Sequence, residues 1–166
     1  RLQGLCGDTR LYTFSDNHDV ERLPNKLRQR AHIRHVAILV YTLWGIPSIY
    51  YGSEFGIEGK KEWGSDWPLR PCLDLADFEN AIRENPVTSV YAALGRLKAA
   101  EPALTEGRPQ ELLLTTERYA FARVWEGRAL ITVLNNADAP ARLELPLPVP
   151  AGQAEDLLAD CAGSQD

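Results

Sequence analysis

The chain has 166 residues, 45% hydrophobic, 25% charged and 8% aromatic, a balance that supports a buried core and excludes an intrinsically disordered chain. Eighteen Lys and Arg against 23 Asp and Glu leave a net charge of −5, which argues against a nucleic-acid partner, whose phosphates need a basic face. The longest apolar run, from Val36 to Trp44 and interrupted only by Thr42, falls well short of the ~20 residues of a membrane span, so no membrane association is expected.

Leu11-Tyr12-Thr13-Phe14 is a β-prone run that stops abruptly at the polar string Ser15-Asp16-Asn17-His18-Asp19. A loop with Pro24 and Asn25 follows. From Lys26 to Trp44 the apolar residues Leu27, Ala31, Val36, Leu39, Val40 and Leu43 keep helical spacing, and Gly45 is the natural stop. The basic residues of this stretch, Lys26, Arg28, Arg30 and Arg34 with His32 and His35 among them, read as one solvated helix face. Ile46 to Tyr51 is a second apolar strand with Pro47 at its entry, ended by Gly52. Strand, loop, helix and strand in this order make a βαβ unit, which builds parallel sheets and barrels.

Residues 53–86 are glycine- and proline-rich and carry Trp63 and Trp67; a loop of this length in a compact domain is usually functional or disordered, and two tryptophans favour order. A second amphipathic helix is expected from Thr88 to Ala100, between Pro86 and Pro102. Beyond a boundary near Thr105 to Pro109 the pattern changes to four short strands, Glu111–Thr116, Tyr119–Trp125, Ala129–Asn135 and Ala141–Leu147, joined by turns. Regularly spaced strands of this kind imply an antiparallel β-sandwich, and Glu155 to Leu158 forms at most one further short element.

Three cysteines, Cys6, Cys72 and Cys161, are odd in number and far apart, so they read as ordinary thiols rather than a disulfide frame or a zinc site. They lean the chain toward a reducing, cytoplasmic compartment, with secretion left open. The chain begins at Arg1 and contains no methionine, so it is expected to be a piece of a longer protein. The lack of a leader peptide then says nothing about export. No segment has the dense Asp spacing of a calcium loop, so no metal or cofactor is expected on these residues, although calcium elsewhere in a longer parent stays open.

The string Phe14-Ser15-Asp16-Asn17-His18-Asp19 stands where a strand gives way to its loop, the end at which α/β barrels assemble active sites. Asn, His and Asp side chains this close together can grip vicinal hydroxyls and offer a carboxylate to developing positive charge, as sugar chemistry requires. An Asx-turn that merely ends the strand is the structural alternative. This string with its sequel Val20-Glu21-Arg22, followed by Gly45-Ile-Pro-Ser-Ile-Tyr-Tyr-Gly-Ser-Glu54-Phe-Gly56-Ile-Glu-Gly59, resembles two ordered signature regions of the α-amylase family of glycoside hydrolases. Within that family the likeness is to neopullulanase, cyclomaltodextrinase and maltogenic amylase, or to intracellular α-glycosidases.

The resemblance implies the fold: α/β plus all-β, with the last two βα units of a (β/α)₈ barrel over residues 1–105 and an antiparallel β-sandwich, complete or short of its closing strands, over residues 106–166. It implies that Asp19 is the transition-state-stabilising carboxylate, that His18 binds sugar hydroxyls, that Asn17 orients this pair, and that Asp16 is structural. Glu54 is implied to be a rim or loop-fixing carboxylate, and Tyr51 to pack rather than stack on sugar. Trp63 and Trp67, with Asp66 nearby, are candidate sugar platforms in the long loop, since pyranose faces are apolar; a packing role is the alternative for each. The family's nucleophile and acid/base carboxylates belong to regions upstream, and nothing from Arg1 to Thr13 resembles them. The expected partners are an α-glucan or maltodextrin substrate and the remaining barrel portion, with a homo-oligomer open. The rival classes are a non-catalytic carbohydrate-binding or accessory module, a catalytically dead relative, and a transglycosylase of the same family.

Overall fold

Two short strands, β1 (Tyr12–Thr13) and β2 (Ile46–Pro47), pair in parallel with Tyr12 opposite Ile46. The computed structural model of the chain describes residues 9–150 and 152–159; Cys6 and Cys161 lie outside this range. The ladder is carried by the Ile46 and Ser48 N–H groups, which donate to the Leu11 and Thr13 carbonyls at 2.8 Å. Because alternate residues of a strand address opposite neighbours, Pro47 stands where no N–H is needed on this side. Gly45 is required at the entry, since a Cβ there would lie 2.7 Å from the Leu11 carbonyl oxygen.

The expected single helix from Lys26 to Trp44 is broken. A short α1 (Leu23–Lys26) is followed by extended backbone at Leu27 and Gln29, a 3₁₀ turn at Arg30–His32, and then α2 (Ile33–Thr42). The break has a cause outside the segment: the Arg30 guanidinium bonds the Gly56 carbonyl at 2.7 Å and Glu58 at 2.8 Å, while Gln29 reaches Asp138. The basic residues therefore do not share one helix face; Lys26 turns back to the Ser15 carbonyl. Nor does the helix run to Gly45. Arg123, far along the chain, donates to the Thr42 and Leu43 carbonyls, and Leu43 leaves the helix in extended geometry. A tertiary contact thus caps α2 in place of a left-handed glycine.

The long segment after β2 holds 3₁₀ turns at Ser53–Phe55, Trp67–Leu69 and Leu75–Phe78 and a one-turn helix α3 (Ala81–Glu84). Helix α4 (Pro86–Ala100) starts two residues ahead of expectation because Asn85 caps it, accepting from the Val87 and Thr88 N–H groups with Pro86 in the first turn. Pro102 opens another helix, α5 (Pro102–Glu106), instead of only closing the last one. The core lies between α2 and α4, where Ile33, Ala37, Val90, Tyr91 and Leu94 are buried with Leu23 of α1, and where Tyr41 meets Tyr91 edge-on.

Strands β3 (Arg108–Leu114), β4 (Arg118–Trp125) and β5 (Arg128–Asn135) form one antiparallel sheet in the order β3-β4-β5. Glu126 and Gly127 both have positive φ, as a two-residue hairpin turn demands. The fourth strand expected at 141–147 does not form, and the described residues contain no second sheet opposite the first. Prolines 140, 146, 148 and 150 take away the donors a ladder would need in that stretch. Strand β4 is also not half-buried by alternation: Ala120, Phe121, Ala122 and Arg123 are all buried, because both faces of this central strand are covered.

His35 joins α2 to the sheet, its Nε2 3.1 Å from the Asn135 carbonyl. Burial and the neighbouring His32, with Arg34 adding to them, pull its pKa below the ordinary 6.5 against the opposing effect of the Asn135 carbonyl. The unfolded chain therefore takes up this proton more readily than the folded one, and stability at this junction falls as pH drops below about 6.5. Replacing His35 with Gln is expected to flatten that acid limb, measured as Tm from neutral pH down to about pH 5.

Candidate active site

The loop leaving β1 is built around Asp16, which is 1% exposed. Its Oδ1 accepts from the Ser15 hydroxyl at 2.9 Å and the Ser53 hydroxyl at 2.8 Å, and its Oδ2 accepts from the Leu23 N–H at 3.1 Å. One carboxylate thus caps the start of α1 and ties the loop after β1 to the turn after β2. Asn17 then makes an Asx-turn, its Oδ1 accepting from the Asp19 N–H at 2.9 Å. The turn does more than end a strand. It sets the backbone from which His18 and Asp19 project, their side chains 57% and 60% exposed and His18 Nε2 3.3 Å from Asp19 Oδ2. An acid–imidazole pair consequently faces solvent beyond the carboxyl end of β1.

The opposite wall is the loop of residues 60–70. Arg70 Nη2 stands 3.3 Å from Asp19 Oδ1 and 3.2 Å from Asp66 Oδ2, and its Nε donates to the His18 carbonyl at 3.2 Å. Lys61 donates to the Asp19 carbonyl at 3.1 Å and lies 3.5 Å from Asp66. Two carboxylates and two cations alternate, so the cluster is close to neutral while the Asp19 carboxylate stays open to a ligand.

Beneath this surface lies Arg22, fully buried, a residue that sequence reasoning registered only as the tail of a motif. Its backbone N–H donates to the Gly59 carbonyl at 2.9 Å, its Nε to Leu69 at 3.1 Å and its Nη1 to Tyr51 at 2.8 Å. Its guanidinium covers the Tyr50 ring at 4.1 Å and Tyr51 at 5.2 Å. Gly59 must be glycine, because a Cβ would run into the Pro68 carbonyl. The Tyr50 ring faces His18 at 6.3 Å. Burial and the neighbouring Tyr51 hydroxyl hold its phenol above the usual value against the pull of Arg22 and Arg70, so Tyr50 remains a neutral hydrogen-bonding group. The signal that could have found both residues was the string Ile-Tyr-Tyr-Gly at the strand end, where a buried cation needs aromatic faces.

The remaining expected residues divide. Trp63 is fully exposed at the tip of a turn bridged by Glu62 and Ser65, and Trp67 is largely exposed on the same loop; neither is packed away. Among the described residues, Glu54 is joined to Asp19 by no hydrogen bond or ion pair. Its carboxylate acts on Tyr41 and Tyr91 of the helical layer, raising both phenols secondarily to burial, and its Oε2 is enclosed without a partner. Its carbonyl accepts from the Thr88 hydroxyl, so this residue fixes the loop rather than lining a rim. Tyr51 is partly exposed and donates its hydroxyl to the Pro71 carbonyl. Among the described residues, no group of His, Cys, Asp or Glu side chains is arranged to hold a metal ion.

Comparisons with known proteins identify relatives of the chain. A cyclomaltodextrin glucanotransferase of Bacillus sp. (strain 17-1) is 29% identical over 148 residues, covering 88% of this chain and 20% of the relative. A cyclomaltodextrinase of Bacillus sp. is 28% identical over 134 residues, covering 78% of this chain and 22% of the relative. The chain therefore spans about a fifth of the curated relatives it matches. In three dimensions the crystal structure of the gamma-CGTase from alkalophilic Bacillus clarkii superposes with a TM-score of 0.73 at 24% identity, over 93% of this chain and 22% of that one, a likeness of fold. The family model of the alpha-amylase catalytic domain matches residues 2–105, well over half of the chain and all of the site just described. The chain belongs to the α-amylase family of glycoside hydrolases.

Proposed function

We propose that this chain is a portion of a retaining enzyme that acts on the α-glucosidic bonds of maltodextrins or related α-glucans. The observation that carries the proposal is the His18–Asp19 pair, open to solvent at the carboxyl end of β1 and clamped from the facing loop. In this reading the Asp19 carboxylate lies against the flattened sugar ring and stabilises the oxocarbenium-like charge, while His18 binds hydroxyls whose contacts tighten as the ring flattens. Asn17 holds both through the Asx-turn. The nucleophile and the proton donor, which in a retaining glycosidase stand ~5–5.5 Å apart, are assigned to the preceding part of the barrel. Trp63 and Trp67 supply apolar platforms for sugar units beyond the cleaved one.

A second reading is transfer rather than hydrolysis, favoured by the glucanotransferase names among the relatives. The two share every step up to the glycosyl-enzyme and differ in whether water or a sugar hydroxyl accepts the glycosyl group. Incubating the full-length protein with maltotriose tests both readings. Glucose and maltose support hydrolysis, longer oligosaccharides support transfer, and no turnover of any α-glucan refutes both. The 166-residue chain alone is expected to be inactive in the same assay, because this reading assigns both cutting carboxylates to the preceding part of the barrel. It is also expected to self-associate, since among the described residues β1 and β2 pair only with each other and leave their outer edges open.

A further inference from the structure

Asp19 is mostly exposed, and an aspartate in water turns freely about its two side-chain torsions. A carboxylate that must meet a sugar ring at one angle needs to be held. His18 supplies one contact, on Oδ2, but it is the adjacent residue and is itself a sugar-binding group in the function proposed above. Arg70 supplies a different kind of hold. Its guanidinium takes Asp19 Oδ1 through Nη2 and the His18 carbonyl through Nε, so one rigid fork grips both the side chain and the backbone of the His18-Asp19 dipeptide. The planar guanidinium presents its donors in a fixed fork, so the two contacts are made together.

Arg70 is itself fixed. It follows the 3₁₀ turn Trp67–Leu69, and the Leu69 carbonyl beside it accepts from the buried Arg22. Asp66, four residues earlier, shares Nη2 at 3.2 Å. That sharing matters for chemistry. A cation devoted to Asp19 alone would cancel the charge needed opposite the sugar, whereas Asp66 offsets part of it and leaves Asp19 oriented yet still anionic toward a ligand. Ion pairs this exposed contribute little to folding, so their geometry is not explained by stability.

We propose that Arg70 is the positioning residue for Asp19, acting across the cleft to set the angle of its carboxylate; this rests on the role given to Asp19 above. In the full-length protein, Arg70→Ala is expected to lower kcat on maltodextrin by about 10- to 100-fold while KM moves less than about threefold, because orientation is lost and binding is not. Millimolar guanidinium should restore part of that kcat, and Arg70→Lys should fall between the two, since an ammonium can pair with Asp19 but cannot also hold the His18 carbonyl in the same fork. A kcat within about threefold of wild type overturns the assignment, as does a loss confined to KM, which would make Arg70 a substrate contact. Failure of guanidinium to restore any activity overturns it as well. An active wild type with an unaffected Arg70→Ala variant sinks only this assignment, whereas a wild type that turns over no α-glucan removes the proposed function and this inference with it.

Discussion

Replacing Asp19 with Asn in the full-length protein is expected to lower kcat on maltodextrin by about 10²- to 10³-fold, with a much smaller change in KM. The substitution keeps the size of the side chain and removes its charge. In a ground-state complex Asp19 faces a neutral sugar, so losing the charge alters binding little. In the transition state the ring carries positive charge, and the loss is felt in full. The side chain is exposed and its Asx-turn is made through the backbone N–H, so the variant should fold as the wild type does, verifiable by an unchanged Tm. Activity within about tenfold of wild type would end the assignment of Asp19 as the charge-stabilising group.

The largest expected effect on stability belongs to Arg123. Its side chain is 1% exposed and spends its donors on the Gly107 carbonyl at 3.0 Å and the Thr42 and Leu43 carbonyls at 3.1 Å each. The guanidinium also lies 5.0 Å from the centre of the Trp44 ring. Burial, with Arg10 adding to it and Glu106 opposing, draws its pKa down to about 10, still high enough to keep the charge at neutral pH. Arg123→Ala strands three carbonyls, two of them at the end of α2, and leaves a void under the sheet. A loss of about 3–5 kcal/mol is expected, read from the urea midpoint. Arg123→Lys should lose less, since one ammonium can still reach part of the set. Equal midpoints for wild type and Arg123→Ala would mean that the sheet is not anchored to α2 through this residue.

The sequence made the order of elements legible and left their ends obscure. Helical spacing marked α2 and α4, and strand alternation with turn residues marked β3, β4 and β5, because those signals are local. The ends depended on partners far along the chain: Arg123 stops α2, Arg30 breaks the expected helix by reaching Gly56, and Asn85 starts α4 early. The missing fourth strand could have been suspected from its prolines, which count against any ladder. At the site, Asn17, His18 and Asp19 stood out because three polar side chains with complementary chemistry followed a strand. Arg22, Tyr50 and Arg70 did not, since a buried cation stacked on tyrosines and a guanidinium reaching across a cleft leave no periodic trace. Glu54, singled out for its place after a strand as a rim or loop-fixing carboxylate, has an enclosed Oε2 and a carbonyl bonded to Thr88.

The segment from Gly59 to Leu69 is pinned at both ends by Arg22, through its backbone N–H at one and its Nε at the other. What lies between is therefore a closed excursion whose feet stay put whatever its length, and lengthening such an excursion costs only about 0.6 kcal/mol for each doubling. The tip between Lys61 and Asp66 behaves as an exchangeable cassette: Trp63 and its immediate neighbours can be replaced or extended while Arg70, just past the second foot, keeps its station. Diversification among paralogues would then concentrate in these few positions, tuning what the protein prefers without disturbing the machinery beside them.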